Sequence, residues 1–489
     1  MAVKDLREWI DILEEKRDLK RIKAEVDWDE EIGAITREVS SAYGPALLFE
    51  TIKDHRNTLC RRLFTNLTGS RERVCGLLGL SEGTSYRELV PILKERFSHP
   101  VKPIQVKSGP VKENIVKGDA VDLYQLPVPK WNPLDGGRYI MTSASTVTTD
   151  PETGRHNAGT YRGMISSKKT ISVLLATTQG WGEHFTKYRK RGEEMPVAVV
   201  LGQDPTLFIA ASTPVSHSEY EMAGSLRGAP VELVKCETSD LLVPANAEIV
   251  IEGKISPDPK SFEAEGPFSE YPGYYGGRKS PKHTIRVECL TYRNDPIFTG
   301  CLTGASPGRT NECTMWTPAA YSAVAWHYLE RAGVANVLAV WRGKWPEVMR
   351  VQIRKTHRGH AQQVANALWG SHIANYTAKH LIVVDEDIDI FDGEAIEWAL
   401  AYRVNAGMGD IAFFPGTSGS MLDPSVPIEE RDSVKYGHGR WTRVLVDATI
   451  NWELEPQEQY GGHRYPPLGT SISPKMEETL KRRWKEYGF

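Results

Sequence analysis

Residues 361–384, AQQVANALWGSHIANYTAKHLIVV, contain the strongest fold signal in the sequence. Four residues recur at the spacing of one helical face: Ala361, Val364, Ala365 and Leu368. This periodicity predicts an amphipathic helix over Ala361–His372. The run Leu381–Val384 is uninterrupted and apolar, which is typical of a strand buried on both faces. A helix followed by a buried strand predicts a layered α/β domain at the C-terminal end.

The same alternation extends outward from this stretch. In the C-terminal part the patterns predict a long helix over Trp316–Arg331, a helix over Ala395–Val404 and strands over Val337–Val340, Met349–Ile353 and Ile411–Phe414. Near the N-terminus they predict helices on the faces Leu6/Trp9/Ile10/Leu13 and Ile32/Ile35/Val39, a strand over Ala46–Phe49 and a helix over Tyr86–Phe97. Both ends of the chain therefore indicate mixed helix and strand.

The middle of the sequence differs in composition from both ends: Pro and Gly are frequent, and β-branched residues occur in short runs. These runs predict strands over Ser143–Thr149, Thr170–Ala176, Val197–Leu201, Leu207–Ala211, Glu248–Ile255 and His283–Thr291. Short strands separated by turn residues favour an antiparallel barrel or curled sheet over a parallel one. The polar tail after about Thr449 is expected to wrap over a surface or a neighbour.

Composition narrows the function classes. The 489 residues are 40% hydrophobic and 25% charged, as in globular proteins, and 60 Lys+Arg nearly balance 63 Asp+Glu for a net charge of -3. No basic stripe stands out, which disfavours nucleic-acid binding. The start lacks the apolar core of a signal peptide, no apolar run could span a membrane, and the six Cys include no CxxC pair. We expect a cytoplasmic enzyme without structural disulfides or zinc.

One stretch of the sequence matches the residue spacing of a hydrolase motif. Gly304-Ala305-Ser306-Pro307-Gly308 fits GxSxG, the serine hydrolase elbow. That mechanism uses the backbone N–H of the residue after the serine, and Pro307 has none. A Gly/Pro turn between a strand and a helix explains the match better.

Three polar clusters in the middle section carry chemistry: Asn157–Arg162, Ser218–Gly224 and Glu265–Tyr275. In the third, Glu265 and Glu270 flank a Gly-Pro turn that can aim both carboxylates into one cavity. Two confined carboxylates do not both ionise easily, so one becomes a proton donor, and an Arg nearby would hold the other ionised and receive an anionic substrate. Asn157 and Glu219 offer oxygen ligands suited to manganese or magnesium. Residue types alone leave open that these are surface turn residues and Arg162 an ordinary salt-bridge partner.

In this order the clusters resemble the UbiD-like family of reversible decarboxylases that use prenylated FMN. The likeness extends to Gly44–Phe49, Gly118–Leu123 and Val383–Asp389, and so covers nearly the whole chain. The motif wording SEYEMAG and EGPF-x-E is similar to that of members acting on phenolic acids.

The resemblance implies a fold and an assembly. It implies an N-terminal α/β region (1–115), a central split β-barrel that binds prenylated FMN (116–312), a linking helix (313–333) and a C-terminal layered α/β domain with its tail (334–489). The C-terminal domain of the family builds oligomers, so a homo-oligomer, a dimer or a hexamer, is expected. Cofactor supply implies a flavin prenyltransferase as a partner.

The resemblance also implies roles for individual residues. It makes Arg162, Glu265 and Glu270 the catalytic network, with Glu270 as proton donor, and Asn157 and Glu219 ligands of a manganese (or magnesium) ion at the cofactor phosphate, with potassium as a further candidate cation. The implied cofactor-binding residues also include Thr160, Tyr161, Leu174, Leu175, Ala176, Gln179 and Gly180.

This sequence departs from the family at two positions. Thr178 stands where some relatives place a histidine ligand, which leaves Thr178, a water or a backbone oxygen as the third metal ligand. Arg443, in the stretch Gly437–Arg443, stands where phenolic-acid relatives have a lysine near the cofactor. Trp316 and Trp441 are candidates for the substrate wall and equally for the core.

The reaction implied is non-oxidative decarboxylation of an aromatic or α,β-unsaturated acid through a covalent adduct with the modified flavin, with CO2 as product or, in reverse, co-substrate. The alternatives are an arene carboxylase or a non-catalytic subunit of one, and an ordinary FMN oxidoreductase. A non-catalytic paralogue should have lost part of the Glu–Arg–Glu set, and this chain keeps all three residues.

Overall fold

The N-terminal region packs helices against a four-stranded sheet in the computed structural model, which describes residues 3–214, 217–431 and 439–489. The predicted face of the first helix is confirmed, because Leu6, Trp9, Ile10 and Leu13 are all buried. The elements are α1 (Leu6–Glu15), β1 (Leu19–Ile22), α2 (Glu31–Ser41), β2 (Ala46–Phe49), β3 (Arg62–Thr65), α3 (Arg71–Leu77) and α4 (Tyr86–Phe97).

The middle of the chain forms the antiparallel sheet that the sequence predicts. Its strands are β5 (Asn114–Lys117), β6 (Ser145–Thr149), β7 (His156–Gly159), β8 (Gly163–Ser167), β9 (Thr170–Val173), β10 (Met195–Leu201), β13 (Ile249–Ile255), β14 (Glu263–Glu265) and β17 (Ser280–Tyr292). The order is β7-β6-β10-β13-β17-β9-β8, with β5 and β14 also paired to β17. Within the described ranges this sheet stays open between β7 and β8, as a split barrel requires.

Smaller elements surround this sheet. They are β4 (Ile104–Gln105), α5 (Gly180–Arg191), α6 (Pro205–Ala211), α7 (Glu219–Arg227), β11 (Glu232–Lys235), β12 (Leu242–Pro244), β15 (Phe268–Ser269), β16 (Tyr275–Gly276) and β18 (Ile297–Thr299). Strand β18 leaves the middle section and pairs in parallel with β3, so it completes the N-terminal sheet. This crossover joins the two regions covalently and through hydrogen bonds.

The C-terminal part is a layered α/β domain, as predicted. It comprises α8 (Cys313–Arg331), β19 (Val337–Trp341), β20 (Val348–Ile353), α9 (His360–Trp369), β21 (His380–Asp385), α10 (Gly393–Arg403), β22 (Ile411–Gly419), β23 (Gly439–Ala448) and α11 (Pro474–Arg483). The sheet order is β19-β20-β21-β23-β22, and β21 pairs in parallel with both β20 and β23. Strand β21 contains the Leu381–Val384 run and is buried at the sheet centre.

One predicted strand is wrong: Leu207–Ala211 lies in helix α6. All seven residues of α6 are buried, so its apolar run lacks the alternation that distinguishes a helix from a strand. The helix start is nevertheless encoded locally. Asp204 caps it by accepting the backbone N–H of Thr206 at 2.8 Å, and Pro205 occupies the first helical position.

A second prediction was too long. The strand predicted over Thr170–Ala176 ends at Val173, so Leu174, Leu175 and Ala176 lie in the connection to α5. Similarly, α9 ends at Trp369, and a separate 3₁₀ helix covers His372–Tyr376.

The prediction that the GxSxG match is a turn is confirmed. Ser306 and Arg309 exchange backbone hydrogen bonds of 2.9 Å in a tight turn between β18 and α8, so the GxSxG match is a turn. All six cysteines are free thiols. In the part of the chain that the structure describes, no helix is long and apolar enough to cross a membrane.

We predict that Asp204 is a stability determinant of the middle section. Asp204 caps α6 and also forms a buried ion pair. Its Oδ2 lies 3.0 Å from Nη1 of Arg227. Asp204→Ala should lower the free energy of unfolding by about 3–5 kcal/mol, because it leaves the Arg227 charge buried and unpaired. Asp204→Asn keeps the cap and should lose about 1 kcal/mol less. Urea unfolding followed by tryptophan fluorescence measures both, and equal stability of Asp204→Ala and wild type would contradict the prediction.

Candidate active site

Two neighbouring cavities lie where the middle section meets the C-terminal domain. The first has a volume of about 670 Å³ and the second about 610 Å³. The two cavities share part of their lining. Six residues line both of them: Thr160, Tyr161, Ser212, Tyr321, Tyr376 and Thr377. A ligand longer than either cavity can therefore occupy both across this shared wall.

Two members of the predicted acid–base cluster, Arg162 and Glu270, line the first cavity, and Glu265 is buried next to Arg162 without lining it. Arg162 donates from Nη2 to Oε2 of Glu265 at 2.9 Å and from Nη1 to Oε1 of Glu270. Glu265 also accepts the hydroxyl of Tyr139 at 2.8 Å. Glu265 is fully buried and Glu270 is 8% exposed. The sequence predicted that the Gly-Pro turn aims both carboxylates into one cavity. Both carboxylates reach Arg162, but only Glu270 lines the cavity.

The charges of this cluster do not cancel if both carboxylates are ionised. Burial raises the pKa of Glu270 and outweighs the opposing effect of Arg162, and the charge of Glu265 raises it further. Burial alone would lower the pKa of Arg162, but the two glutamates raise it, so the guanidinium stays protonated. Glu265 keeps two strong donors, from Arg162 and Tyr139. The neutral form of the cluster therefore carries its proton on Glu270.

A short hairpin formed by β15 and β16 fixes Glu270. Its backbone N–H donates to the carbonyl of Tyr274 at 3.0 Å. Gly276 packs against the side chain of Glu270, and a Cβ at position 276 would lie 2.6 Å from Cγ of Glu270. The hydroxyl of the next residue, Tyr271, lies within hydrogen-bond distance of Oε1 of Glu347, at 3.2 Å, and of Oγ of Ser420, at 3.0 Å. These bonds tie the loop that holds Glu270 to the C-terminal domain.

The second cavity gathers most residues that the resemblance implied for the cofactor. Those lining it are Asn157, Thr160, Tyr161, Thr178, Gln179, Gly180 and Glu219. Helix α5 begins at Gly180, and its N-cap residue Gln179 makes no side-chain cap bond, so backbone N–H groups remain for an anion. A Cβ on Gly180 would lie 2.0 Å from Oδ1 of Asn157. The close approach of helix and amide therefore requires glycine.

The donor set fits a hard cation held at a phosphate. Glu219 is the first residue of α7, its carboxylate accepts the backbone N–H of Ala158 at 3.2 Å, and burial raises its pKa. Asn157 donates from Nδ2 to Oη of Tyr161 at 3.1 Å, which leaves its Oδ1 to accept. Thr178 Oγ1 lies 3.2 Å from Oη of Tyr376. Among the described residues, no group of three or more His, Cys, Asp and Glu could hold a metal, so one bound here needs amide or hydroxyl oxygens.

Some residues implied by the resemblance lie elsewhere. Leu174, Leu175 and Ala176 line neither cavity. Arg443 is buried in β23, where its guanidinium donates to the carbonyls of Thr377 and Ser418 at 2.9 and 3.0 Å, so it braces the 3₁₀ segment beside the cavities. Gly437 and His438 of the same stretch lie outside the described residues.

The two candidate wall tryptophans differ. Trp316 lines the first cavity, whereas Trp441 lies behind it and donates its indole N–H to Oδ2 of Asp423 at 2.9 Å. The sequence reasoning missed Tyr139, Tyr271 and Arg342. Tyr139 stands in no motif, Tyr271 lies in the cluster Glu265–Tyr275 without an assigned role, and the only signal for Arg342 is a cation directly after an apolar strand.

This arrangement, a buried acid–base cluster beside one cavity and oxygen donors in the next, is typical of the active site of an enzyme. Profiles described as the 3-octaprenyl-4-hydroxybenzoate carboxy-lyase N-terminal, Rift-related and C-terminal domains match residues 10–93, 102–306 and 313–448. The chain belongs to the UbiD family of carboxy-lyases.

Individual relatives agree with this assignment. The closed form of vanillic acid decarboxylase from Sedimentibacter hydroxybenzoicus is 31% identical, with a TM-score of 0.87 over 99% of this chain and 100% of that one. The UbiD-class enzyme HmfF from Pelotomaculum thermopropionicum, in complex with FMN, is 31% identical, with a TM-score of 0.78 over 97% and 98%. An uncharacterized protein of Synechocystis sp. (strain ATCC 27184 / PCC 6803 / Kazusa) is 31% identical over 99% of this chain and 96% of its own length.

We predict that Gly276 sets the position of Glu270. In Gly276→Ala the new methyl group must separate from Cγ of Glu270 by about 1 Å, because carbon atoms pack no closer than about 3.5 Å. A crystal structure of the variant should show the Glu270 carboxyl displaced from Nη1 of Arg162, with the Arg162–Glu265 pair intact. An unmoved Glu270 would contradict this account of the hairpin.

Proposed function

We propose that this protein catalyses the non-oxidative, reversible decarboxylation of an aromatic or α,β-unsaturated carboxylic acid, with prenylated FMN as cofactor and Glu270 as proton donor. The observation that carries the proposal is the buried Arg162–Glu265–Glu270 cluster beside the first cavity, which adjoins a second cavity lined by Asn157 and Glu219. Relatives support the substrate class, since one is a vanillic acid decarboxylase and another, from Enterobacter cloacae, a 3,4-dihydroxybenzoic acid decarboxylase.

The first cavity can orient an aromatic acid. Phe208, Phe268 and Trp316 give it an apolar wall on which an aryl ring can pack. Arg162 has both terminal nitrogens engaged by glutamates, and its buried Nε has no partner. A substrate carboxylate beside this guanidinium would meet a positive charge and an unused donor. The scissile group is thus held next to Glu270.

Protonation follows from the same cluster. When the carboxyl group leaves as CO2, the vacated carbon needs a proton, and Glu270 holds one in a site with little water. Arg162 then stabilises the Glu270 carboxylate that remains. Run in reverse, Glu270 accepts the proton that the incoming CO2 replaces. Tyr139 and Arg162 both donate to Glu265, which holds its carboxyl group beside the guanidinium.

The second cavity would hold the phosphate end of the cofactor, and the shared wall would hold its ring system. The backbone at the start of α5 would bind the phosphate, and Asn157 and Glu219 would bind manganese or magnesium, with Thr178 as third ligand and potassium as a further cation. The bound flavin supplies the electron sink for cleavage of the carbon–carbon bond. Support comes from HmfF, which is solved with FMN and, in an evolved dimeric form, with prFMN.

The assembly and setting are part of the proposal. Trp398, Tyr402 and Phe413 are exposed on the C-terminal domain, and Phe413 lies on β22, the edge strand of its sheet. Exposed aromatics on α10, which carries Trp398 and Tyr402, and on an edge strand favour association with a second copy of this chain. Free thiols, five of them buried, agree with a cytoplasmic setting, where a flavin prenyltransferase would supply the cofactor.

Two experiments separate this function from its alternatives. After co-expression with a flavin prenyltransferase, the mass and visible spectrum of the bound cofactor should be those of prenylated FMN. The loaded protein should release CO2 from an aromatic acid without NAD(P)H. Unmodified FMN with NADH turnover would establish an oxidoreductase instead, and CO2 fixation dependent on a second protein would establish a carboxylase subunit.

We predict that Glu270→Gln lowers decarboxylation by about 100-fold or more, since general acid catalysis contributes roughly that factor. Because burial raises the pKa of Glu270, the acid form persists above the ordinary pKa of 4.5. Wild-type activity should therefore fall as pH rises through this raised pKa. The pH–rate profile of the variant should lack this fall. The measurement is a pH–rate profile of CO2 release.

Glu263→Gln is the matched control for this prediction. Glu263 lies on β14 two residues before Glu265, accepts a bond from Thr170 at 2.8 Å and lines neither cavity. Its substitution should leave the pH–rate profile unchanged. Wild-type turnover in Glu270→Gln would assign the proton donor to another group.

A further prediction concerns cofactor retention. Glu219→Ala removes a carboxylate ligand from the proposed cation, so flavin affinity in the presence of Mn²⁺ should fall at least about tenfold. The flavin-to-protein absorbance ratio after dialysis measures this. Glu221→Ala, on the same turn of α7 but outside both cavities, is the control. Full flavin occupancy of Glu219→Ala, with or without a chelator, would argue against a cation there.

A further inference from the structure

A second arginine lines the first cavity, on the wall formed by the C-terminal domain. Arg342 directly follows β19 and is only 8% exposed. Its backbone N–H donates to Oγ of Ser322 at 2.9 Å, and its guanidinium carbon lies 4.4 Å from the ring centroid of Tyr321. Both Ser322 and Tyr321 belong to α8. The backbone and the head group of Arg342 are therefore held by one rigid helix.

The Arg342 guanidinium lacks the partners that a buried charge normally has. Within the described part of the chain, its Nε and Nη1 atoms make no hydrogen bond. Glu347 is close enough to influence it electrostatically, but the two form no ion pair within 4.0 Å. The Glu347 carboxyl instead accepts the hydroxyl of Tyr271 at 3.2 Å, and burial raises its pKa toward the neutral form.

The other positively charged side chains that line this cavity each have a hydrogen-bond partner. Arg162 is held by Glu265 and Glu270. Lys379 donates to Oδ2 of Asp423 at 2.8 Å and to Oγ of Ser425 at 2.6 Å. Lys344 is exposed to solvent and donates to Oη of Tyr43 at 2.8 Å. Arg342 is thus the buried positive charge of the cavity wall that lacks an acceptor.

Burying an unpaired charge is unfavourable, and here burial lowers the pKa of the Arg342 guanidinium. A planar guanidinium fixed by stacking matches a carboxylate, which brings both a compensating charge and two acceptor oxygens. A phenol hydroxyl would bring an acceptor but no charge. The ligand that best completes this wall is therefore a carboxylate.

We propose that Arg342 binds a second carboxylate of the substrate, so that the enzyme selects aromatic or unsaturated dicarboxylic acids over monocarboxylic ones. The proposal rests on the proposed function, which assigns the scissile carboxylate to Arg162. Arg342 then holds the other end of the molecule and sets its distance from Glu270. This makes Arg342 a specificity-determining residue.

The test compares three probes on the holoenzyme by isothermal titration calorimetry: benzoate, 4-hydroxybenzoate and terephthalate. Wild type should bind terephthalate at least about tenfold more tightly than either monocarboxylate, since a charge-assisted bond contributes roughly that factor. Arg342→Gln should abolish this preference and change benzoate affinity less than about twofold, whereas Arg342→Lys should keep part of it. Arg354→Gln removes an exposed arginine of the same domain, paired with Glu386, and should bind all three probes as wild type does.

A thermal unfolding scan separates binding from a merely structural role. Replacing an unpaired buried charge by an apolar side chain of similar length removes a desolvation penalty, so Arg342→Met should melt at or above the wild-type temperature. A clear fall in melting temperature, or equal loss of affinity for all three probes, would overturn the proposal. So would a wild-type preference for 4-hydroxybenzoate over terephthalate.

These outcomes are distinct from failure of the proposed function. Tight terephthalate binding that depends on Arg342, without CO2 release, would support the dicarboxylate site and contradict the decarboxylase. CO2 release from benzoate and terephthalate with equal KM in wild type and Arg342→Gln would support the decarboxylase and overturn the role of Arg342.

Discussion

A single buried guanidinium between two carboxylates is the interaction on which the site depends. Arg162 contacts Glu265 and Glu270, and Tyr139 adds a donor to Glu265. Burial and the charge of Glu265 raise the pKa of Glu270, which makes Glu270 the proton carrier of the pair. Burial favours keeping this proton, because a net negative charge in this cavity is unfavourable. The hairpin, the central sheet and the contact with the C-terminal domain all serve to keep these groups together.

Two domains share the site, and neither contains it alone. The middle section supplies Arg162 and the glutamates, while the C-terminal domain supplies the opposite wall, including Arg342 and Glu347. The hydroxyl of Tyr271 bridges them next to Glu270 itself. Any relative movement of the domains therefore changes both the cavity and the environment of the proton carrier. This dependence gives a physical reason for the C-terminal α/β domain to be part of the enzyme.

Much of the fold could be predicted because local periodicity and global packing agree. Helix α1 buries the face that its spacing indicates, and β21 is the central strand that its apolar run indicates. Helix α6 was missed because burial on every side removed its periodicity, although Asp204 and Pro205 mark its start. Glu265 and Glu270 were recognisable from one turn. Arg342 was not, because its significance is the absence of a partner, which only three-dimensional packing reveals.

The most direct test of the central claim is the protonation state of Glu270 in the resting enzyme. An infrared difference spectrum between wild type and Glu270→Gln at neutral pH reports it. The account predicts that wild type shows the carbonyl stretch of a protonated carboxylic acid, shifted in D2O and absent from the variant. A difference spectrum with only carboxylate bands would show that Glu270 is ionised at rest, and would contradict the assignment of the stored proton to this residue.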